Sequence, residues 1–183
     1  MRGVEVKHQS SGFTLVEVVA SMIVLSIIAS SAALLIGQTA ATYRDRAVQG
    51  ELHMEASVTL DRMAREIRGL DTKLVGTAYV PDITAASTTA LQWGTGKLFD
   101  LKGGSLRIET DGMHIDILAK DISQLAFDYL DENGVSLLSG STVPAGKLAN
   151  IQRVKVSITL SRGGQSSTLH TLVFLRGLTN TTA

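Results

Sequence analysis

Cysteine is absent from this chain of 183 residues. Its absence excludes a disulfide-stapled scaffold, a thiol nucleophile and a cysteine-ligated zinc site, although it does not identify the compartment. Proline is almost as scarce, with Pro81 and Pro144 the two examples, and no stretch is of low complexity, which argues against a disordered chain. Neither charge is in excess, because 17 basic side chains balance 17 acidic ones. This balance argues against a nucleic-acid-binding module or a polybasic membrane binder.

Charge itself is in short supply, and the shortage is local. Charged residues make up 19% of the chain, against about 25% in an ordinary soluble domain. The segment from Val18 to Tyr43 carries no charge at all. Outside this segment the charge content is ordinary, so the chain consists of segments that differ sharply in composition.

The run Val18–Ile36 is long enough to span a membrane. About 20 apolar residues cross the hydrocarbon core of a bilayer as a helix, whereas the apolar region of a signal peptide has about 7–15 residues. The prefix of residues 1–12 carries Arg2, Lys7 and the amino terminus against Glu5 alone. Excess positive charge before a span keeps that end in the cytoplasm, so we expect the chain after Tyr43 to lie outside it.

Glu17 interrupts the apolar sequence that begins at Phe13. A carboxylate in a membrane segment costs free energy and is a functional hypothesis by default. The alternative is a glutamate at the cytoplasmic interface, tolerated because its side chain reaches the headgroups. Physical reasoning on this residue alone leaves both interpretations open.

The string Ser11-Gly12-Phe13-Thr14-Leu15-Val16-Glu17 resembles the processing site of type IV pilins and of the pseudopilins of type II secretion. The resemblance implies that a prepilin peptidase cleaves after Gly12 and that the new amino terminus on Phe13 is methylated. It also implies that Glu17 pairs with the terminal ammonium of a neighbouring subunit during assembly. Residues 1–12 are then a leader peptide and residues 13–37 a transmembrane and filament-core helix.

Two departures from the major pilins favour a minor subunit. Many major pilins carry a proline about halfway along the apolar helix, where this chain reads Ala-Ala-Leu-Leu-Ile-Gly over residues 32–37. Many also have a carboxyl-terminal cysteine pair, which this chain lacks. The block Asp61–Arg68 and the closing Val173–Arg176 resemble the J-type pseudopilins and the W-type minor pilins, which implies a role in starting assembly at the filament tip.

Helical periodicity continues beyond the apolar run. One apolar stripe at helical spacing predicts a helix packed on its own sheet; its members are Val48, Leu52, Ala56, Leu60, Met63, Ile67 and Leu70. The opposite face holds five acidic and five basic residues between 44 and 68, so we expect it to be solvated, with Asp61–Arg65 as an i,i+4 pair. The pattern predicts one helix over 13–68 that ends at Gly69, of which residues 38–69 form the amphipathic part.

From residue 70 onward the apolar period changes from 3.6 to 2. Alternating runs predict strands around 90–93, 97–101, 105–109, 113–117, 125–129, 154–160 and 169–175. The segments 94–96, 103–104, 111–112, 131–134 and 163–164 are rich in glycine or aspartate and predict turns. The fold class is therefore α+β: a pilin-like arrangement in which a long N-terminal helix packs on an antiparallel, meander-like β-sheet domain of residues 70–183.

Nothing in the sequence indicates an enzyme, a cofactor or a metal site. The four histidines (His8, His53, His114, His170) lack metal-ligand spacing, and no metalloprotease, hydrolase or phosphate-loop motif is present. Asp131–Gly134 lacks the pattern of a calcium loop and is better explained as a hairpin turn. Gly103-Gly104 and Gly163-Gly164 precede no helix, so they predict turns rather than phosphate cradles.

The sequence thus favours a minor pilin or pseudopilin of the bacterial inner membrane. The expected partners are a prepilin peptidase, other major and minor pilins or pseudopilins, the inner-membrane assembly platform and the membrane itself, with no nucleic acid. Two other hypotheses remain open. One is a monomeric, membrane-anchored periplasmic binding or sensor domain, and the other is a secreted β domain cleaved near Ala32, after Ser30-Ser31.

Overall fold

The computed structural model describes residues 14–110 and 112–175. The chain divides into two compact units, with the boundary between Asp45 and Arg46. Helix α1 (Leu15–Arg68, 54 residues) passes through this boundary. In the described residues the first unit consists of α1 up to Asp45, and the second contains the rest of α1 and the strands.

The predicted long helix is confirmed over residues 15–68. Its predicted first residue, Phe13, lies outside the described residues. The helix ends where the sequence places glycine: the Gly69 amide donates to the Arg65 carbonyl at 3.0 Å. Arg65 and Arg68 lie in the last turn, where cations are favoured by the helix dipole.

The apolar stripe of α1 is confirmed as the helix side of the core. Its members from Leu52 to Leu70 are buried, and Val48 is partly buried. Ala64 and Thr59 are buried as well, which the stripe alone did not predict. The Thr59 hydroxyl donates to the Glu55 carbonyl at 2.7 Å, so this polar side chain enters the core with its hydrogen bond made.

The described residues of the second unit form ten strands and one 3₁₀ helix (Ala145–Asn150). The strands are β1 (Thr72–Val75), β2 (Ala78–Pro81), β3 (Ile83–Ala86), β4 (Leu91–Trp93), β5 (Lys97–Lys102), β6 (Ser105–Thr110), β7 (His114–Ala119), β8 (Ile122–Leu130), β9 (Arg153–Arg162) and β10 (Gln165–Phe174). All seven predicted strands are present as β4 to β10. The strands β1, β2 and β3 were not predicted.

Every strand pairing is antiparallel, as expected, but the strands form three sheets rather than one. The five-stranded sheet follows the chain order from β3 to β7, and the three-stranded sheet has the order β10-β9-β8. Strands β1 and β2 form a separate hairpin. The predicted meander is therefore confirmed within each of the two larger sheets. A hydrogen bond connects these two sheets, because the Ile122 amide donates to the Gly104 carbonyl at 2.9 Å.

Glycine pairs close two of the hairpins. The φ angles of Gly103 and Gly104 are +59° and +72°, and those of Gly163 and Gly164 are +60° and +82°. Two positive φ angles in succession define the type I′ turn that matches the twist of a two-residue hairpin, and residues other than glycine, asparagine and aspartate rarely adopt them. The turn prediction at these sites is confirmed.

The charged face of α1 is less solvated than the sequence predicts. Asp61 and Arg65 do form the expected exposed ion pair, with 3.3 Å between Oδ2 and Nη2. Other members reach the sheets: Arg162 of β9 contacts Glu51 and Glu55, both at 3.1 Å, while Arg62 contacts Asp116 of β7 at 3.2 Å. Long side chains let these charges pair across the edge of the apolar stripe, which periodicity alone does not reveal.

Candidate functional site

The first turn of α1 is capped by Thr14. The Glu17 amide donates to the Thr14 hydroxyl oxygen at 3.3 Å, which satisfies one of the four amides that a helix leaves unpaired at its start. Threonine followed three residues later by glutamate is a recognised helix-start pattern. Thr14 and Glu17 display this signal in the sequence, where it was missed.

Glu17 is the acidic residue of this first turn. A carboxylate there is favoured by the positive end of the helix dipole. No ion pair among residues 14–110 and 112–175 includes it, and the next charged residue along the chain is Arg44. At the rise of an α-helix the two residues are about 40 Å apart along the axis. A cation that neutralises Glu17 must therefore come from outside residues 14–43.

The apolar side chains of the first unit are exposed on every side of the helix. Leu15 is 83% exposed, Leu25 67% and Ile36 70%. Within the 18-residue window whose mean hydropathy is 2.4, no residue is buried in the chain itself. Helix α1 is thus long and apolar enough to cross a membrane. Since contiguous apolar surface of this size is unfavourable in water, a bilayer or neighbouring helices must cover it.

The hydroxyl groups of this segment bond to their own helix. Six serine and threonine hydroxyls each donate to the carbonyl four residues earlier, at 2.7–3.0 Å. The donors are Ser21, Ser26, Ser30, Ser31, Thr39 and Thr42. A hydroxyl bonded in this way can enter hydrocarbon without an unpaired donor. The polar residues are therefore compatible with a membrane or a dry helix bundle.

The remaining predicted site residues, Gly12 and Phe13, lie outside the described residues. Of the three predicted site residues, Glu17 is therefore the one whose surroundings the structure describes. Residue 14, which was not predicted to have a role, is the position directly joined to Glu17 by a hydrogen bond.

Residues 7–33 match the family model described as the prokaryotic N-terminal methylation motif. The chain carries a prepilin-type N-terminal motif. The matched range includes Gly12, Phe13 and Glu17 and extends well into the exposed apolar helix. This motif supports a subunit of the pilin and pseudopilin type, which is structural rather than enzymatic. Together with the apolar helix, it fits a protein anchored in the membrane by a single span.

A comparison with curated proteins gave no match along the chain. The support for a pilin-type subunit therefore comes from residues 7–33, and the β domain must be interpreted from its own contacts. In the part of the chain that the structure describes, no cluster of three or more histidine and acidic side chains could hold a metal ion.

Proposed function

We propose that this chain is a minor pilin or pseudopilin, a structural subunit of a type IV pilus or of a type II secretion pseudopilus. One observation carries this proposal: the methylation motif runs directly into helix α1. The most apolar 18 residues of this helix are not buried in the chain itself, and its first turn holds one carboxylate, Glu17. A permanent anchor needs the apolar surface alone. A membrane helix that leaves the bilayer to join a filament also needs a contact that fixes its axial position against the neighbouring subunits.

In our proposal Glu17 makes this contact. Cleavage after Gly12 creates an ammonium group on Phe13, and methylation leaves this group charged. In a filament core of low dielectric, the Glu17 carboxylate of one subunit pairs with the Phe13 ammonium of its neighbour. Each charge alone would be costly there, and the pair offsets much of that cost. The described helix supports this role because residues 14–43 offer Glu17 no cation of their own.

The domain arrangement follows from the same proposal. Residues 1–12 form the leader, residues 13–37 the span and filament core, residues 38–69 the amphipathic helix, and residues 70–183 the periplasmic β domain. Other subunits, the peptidase and the assembly platform of the inner membrane are the partners. A minor subunit fits the absence of proline from the apolar helix and of cysteine from the chain. The position at the tip is what the resemblance of Asp61–Arg68 and Val173–Arg176 to the J-type and W-type subunits implies. Extension and retraction, or piston-like secretion, is powered by other proteins.

Processing provides the direct test. We expect intact mass and amino-terminal sequencing of the membrane-extracted protein to show a chain that begins with N-methylated Phe13. This product lacks Arg2, Glu5 and Lys7, so it carries a slight excess of acidic side chains. Gly12→Val should block cleavage, because the added side chain obstructs close approach of the backbone to the peptidase. Gly3→Val, in the same leader, is the matched control and should be cleaved normally.

The rival hypotheses give different masses. An intact Met1 in the wild-type chain would indicate a permanently anchored binding or sensor domain. A mature chain that starts near Ala33 would indicate secretion of a free β domain. Either result would overturn the proposal.

A further inference from the structure

Strand β10 forms one edge of the three-stranded sheet, and this edge is unusually regular. Its ten residues pair with β9 in ten consecutive positions, without a bulge. The strand reads QSSTLHTLVF and contains neither a charged residue nor proline. Proteins usually protect an exposed edge by a bulge, a charge, a proline or a short strand. Strand β10 has none of these protections.

The other sheet edges in the described residues do have them. Strand β3 has four residues, and its partner segment shifts register by a bulge. Strand β7 also lies at a register shift and carries Asp116 at its centre. The free side of β8 is covered: its Phe127 amide donates to the Thr88 carbonyl at 2.8 Å, and its Tyr129 carbonyl accepts from the Leu137 amide at 2.8 Å. The long open edge is therefore particular to β10.

The hairpin geometry determines which backbone groups of β10 face outward. The turn Gly163-Gly164 makes Arg162 and Gln165 the closing hydrogen-bonded pair, and pairs then alternate along an antiparallel ladder. The even-numbered residues from 166 to 174 consequently direct their amides and carbonyls away from β9. In residues 14–110 and 112–175, none of these groups makes a backbone hydrogen bond. The edge thus presents five donor and acceptor pairs at the spacing of a partner strand.

A trough lies beside this edge, between β10 and α1. One hollow of about 380 Å³ is lined by Arg46, His53 and Ser167, among others. A second, of about 250 Å³, continues along the same two elements from Ser57 to Arg68 and from Leu169 to Thr171. Its floor contains the apolar side chains Leu60, Ala64 and Leu169. The open edge therefore has room for alternate side chains of an added strand.

The trough is basic at both ends. Arg46 lines the first hollow and Arg68 the second, and neither belongs to an ion pair among the described residues. The carboxylate in the trough, Asp61, is engaged by Arg65 at 3.3 Å. A strand with carboxylates near its ends would complement this charge. A second copy of β10 would instead bring two such basic troughs together.

We propose that the β10 edge binds an extended segment of a different protein, with apolar or β-branched side chains at alternate positions and carboxylates near its ends. The segment adds a fourth strand to the β10-β9-β8 sheet by backbone hydrogen bonding, and its inward side chains enter the trough beside α1. This surface lies in the β domain and goes beyond the helix-based assembly proposed above.

A labelled peptide of alternating valine and threonine with glutamate at both ends tests the proposal. Its binding to the full chain in detergent is measured by fluorescence anisotropy. His170→Pro removes an outward amide without touching the β9 ladder and should weaken binding roughly tenfold, the effect of losing one or two backbone hydrogen bonds. His170→Thr retains the amide and should bind normally. Arg46→Glu with Arg68→Glu should reverse the preference between this peptide and one with lysine ends.

A second probe leaves the protein unchanged. The same peptide with N-methyl groups on the alternate amides that face β10 should bind roughly a hundredfold more weakly or worse, since it loses several hydrogen bonds to the edge. Equal binding of the methylated peptide, or of the glutamate and lysine peptides, would overturn the proposal. So would self-association of the full chain that His170→Pro abolishes, because the occupant would then be a second copy. Binding that appears only when the chain is truncated after Leu175 would also overturn it, because residues 176–183 of the same chain would then be the occupant.

Discussion

The Tyr129 hydroxyl lies in the core of the β domain. The side chain is fully buried, and its hydroxyl donates to the carbonyls of Ser87 and Ala90, at 2.9 and 3.0 Å. Burial raises the pKa of this hydroxyl well above its ordinary value, while the hydrogen bond to Ser87 opposes the shift. Tyr129 therefore remains neutral in the folded chain and ties β8 to the segment before β4.

Because Tyr129 is buried, the free energy of unfolding should decrease as the pH rises into the alkaline range. In the unfolded chain Tyr129 ionises near its ordinary pKa of about 10, whereas in the folded chain it holds its proton. Its contribution is therefore fully present below pH ~10 and is lost as the pH rises above that value. We expect the free energy of unfolding, measured by urea titration of the full chain in detergent, to fall between about pH 10 and 11.

Tyr129→Phe should remove much of that pH dependence. It should also cost about 1–2 kcal/mol at neutral pH, because the Ser87 carbonyl loses its donor. Tyr79→Phe is the matched control, since Tyr79 is 62% exposed. An alkaline loss of stability that is unchanged in Tyr129→Phe would contradict this assignment.

Glu17 and Thr14 show what residue patterns can and cannot predict. The position of Glu17 in an apolar run raised a functional role in sequence beside an interfacial one. The structure adds that Glu17 lies in a capped first turn and forms no ion pair within the described residues. The Thr14 cap was readable from its spacing to Glu17 but was missed. The resemblance to the pilins proposes a partner for Glu17, whereas the structure of a single chain does not contain it, because an assembly contact is made between molecules.

At the scale of elements, α1 was predictable because one side of its amphipathic part is buried without interruption. A regular stripe results when one face meets a core. Strands β1 and β2 gave no such signal, since the burial pattern of β1 is exposed throughout and β2 buries only Pro81. The division into three sheets was equally hidden, because alternation specifies which face of a strand is buried and does not specify its neighbours.

The stripe of α1 makes a quantitative prediction through two methionines. Met63 is fully buried, whereas Met54 is 69% exposed on the same helix. Met63→Ala should lower the free energy of unfolding by about 2–5 kcal/mol, because it leaves a cavity in the core. Met54→Ala should change it by less than about 0.5 kcal/mol. Similar effects of the two substitutions in urea titrations of the full chain would contradict the packing described for α1.

The whole molecule joins a charge-free helix surface to a β domain of ordinary charge content. The low overall charge of the chain arises in the segment from Val18 to Tyr43, and the rest of the chain has an ordinary charge content. Within the described residues, the large exposed apolar side chains concentrate on the first unit. An apolar helix and a β domain of ordinary charge content are the two parts that the proposed filament subunit requires.

The most direct test of this account is the share of the chain that sediments with sheared filaments. The wild-type chain, Glu17→Ala, Glu17→Gln and the control Glu132→Ala are expressed in the native host without the chromosomal copy. We expect wild-type and Glu132→Ala chains in the filament fraction. Both Glu17 variants should stay in the membrane, depleted roughly tenfold or more, because the Phe13 ammonium of the neighbour loses its partner. Full incorporation of a normally processed Glu17→Ala chain would contradict the account.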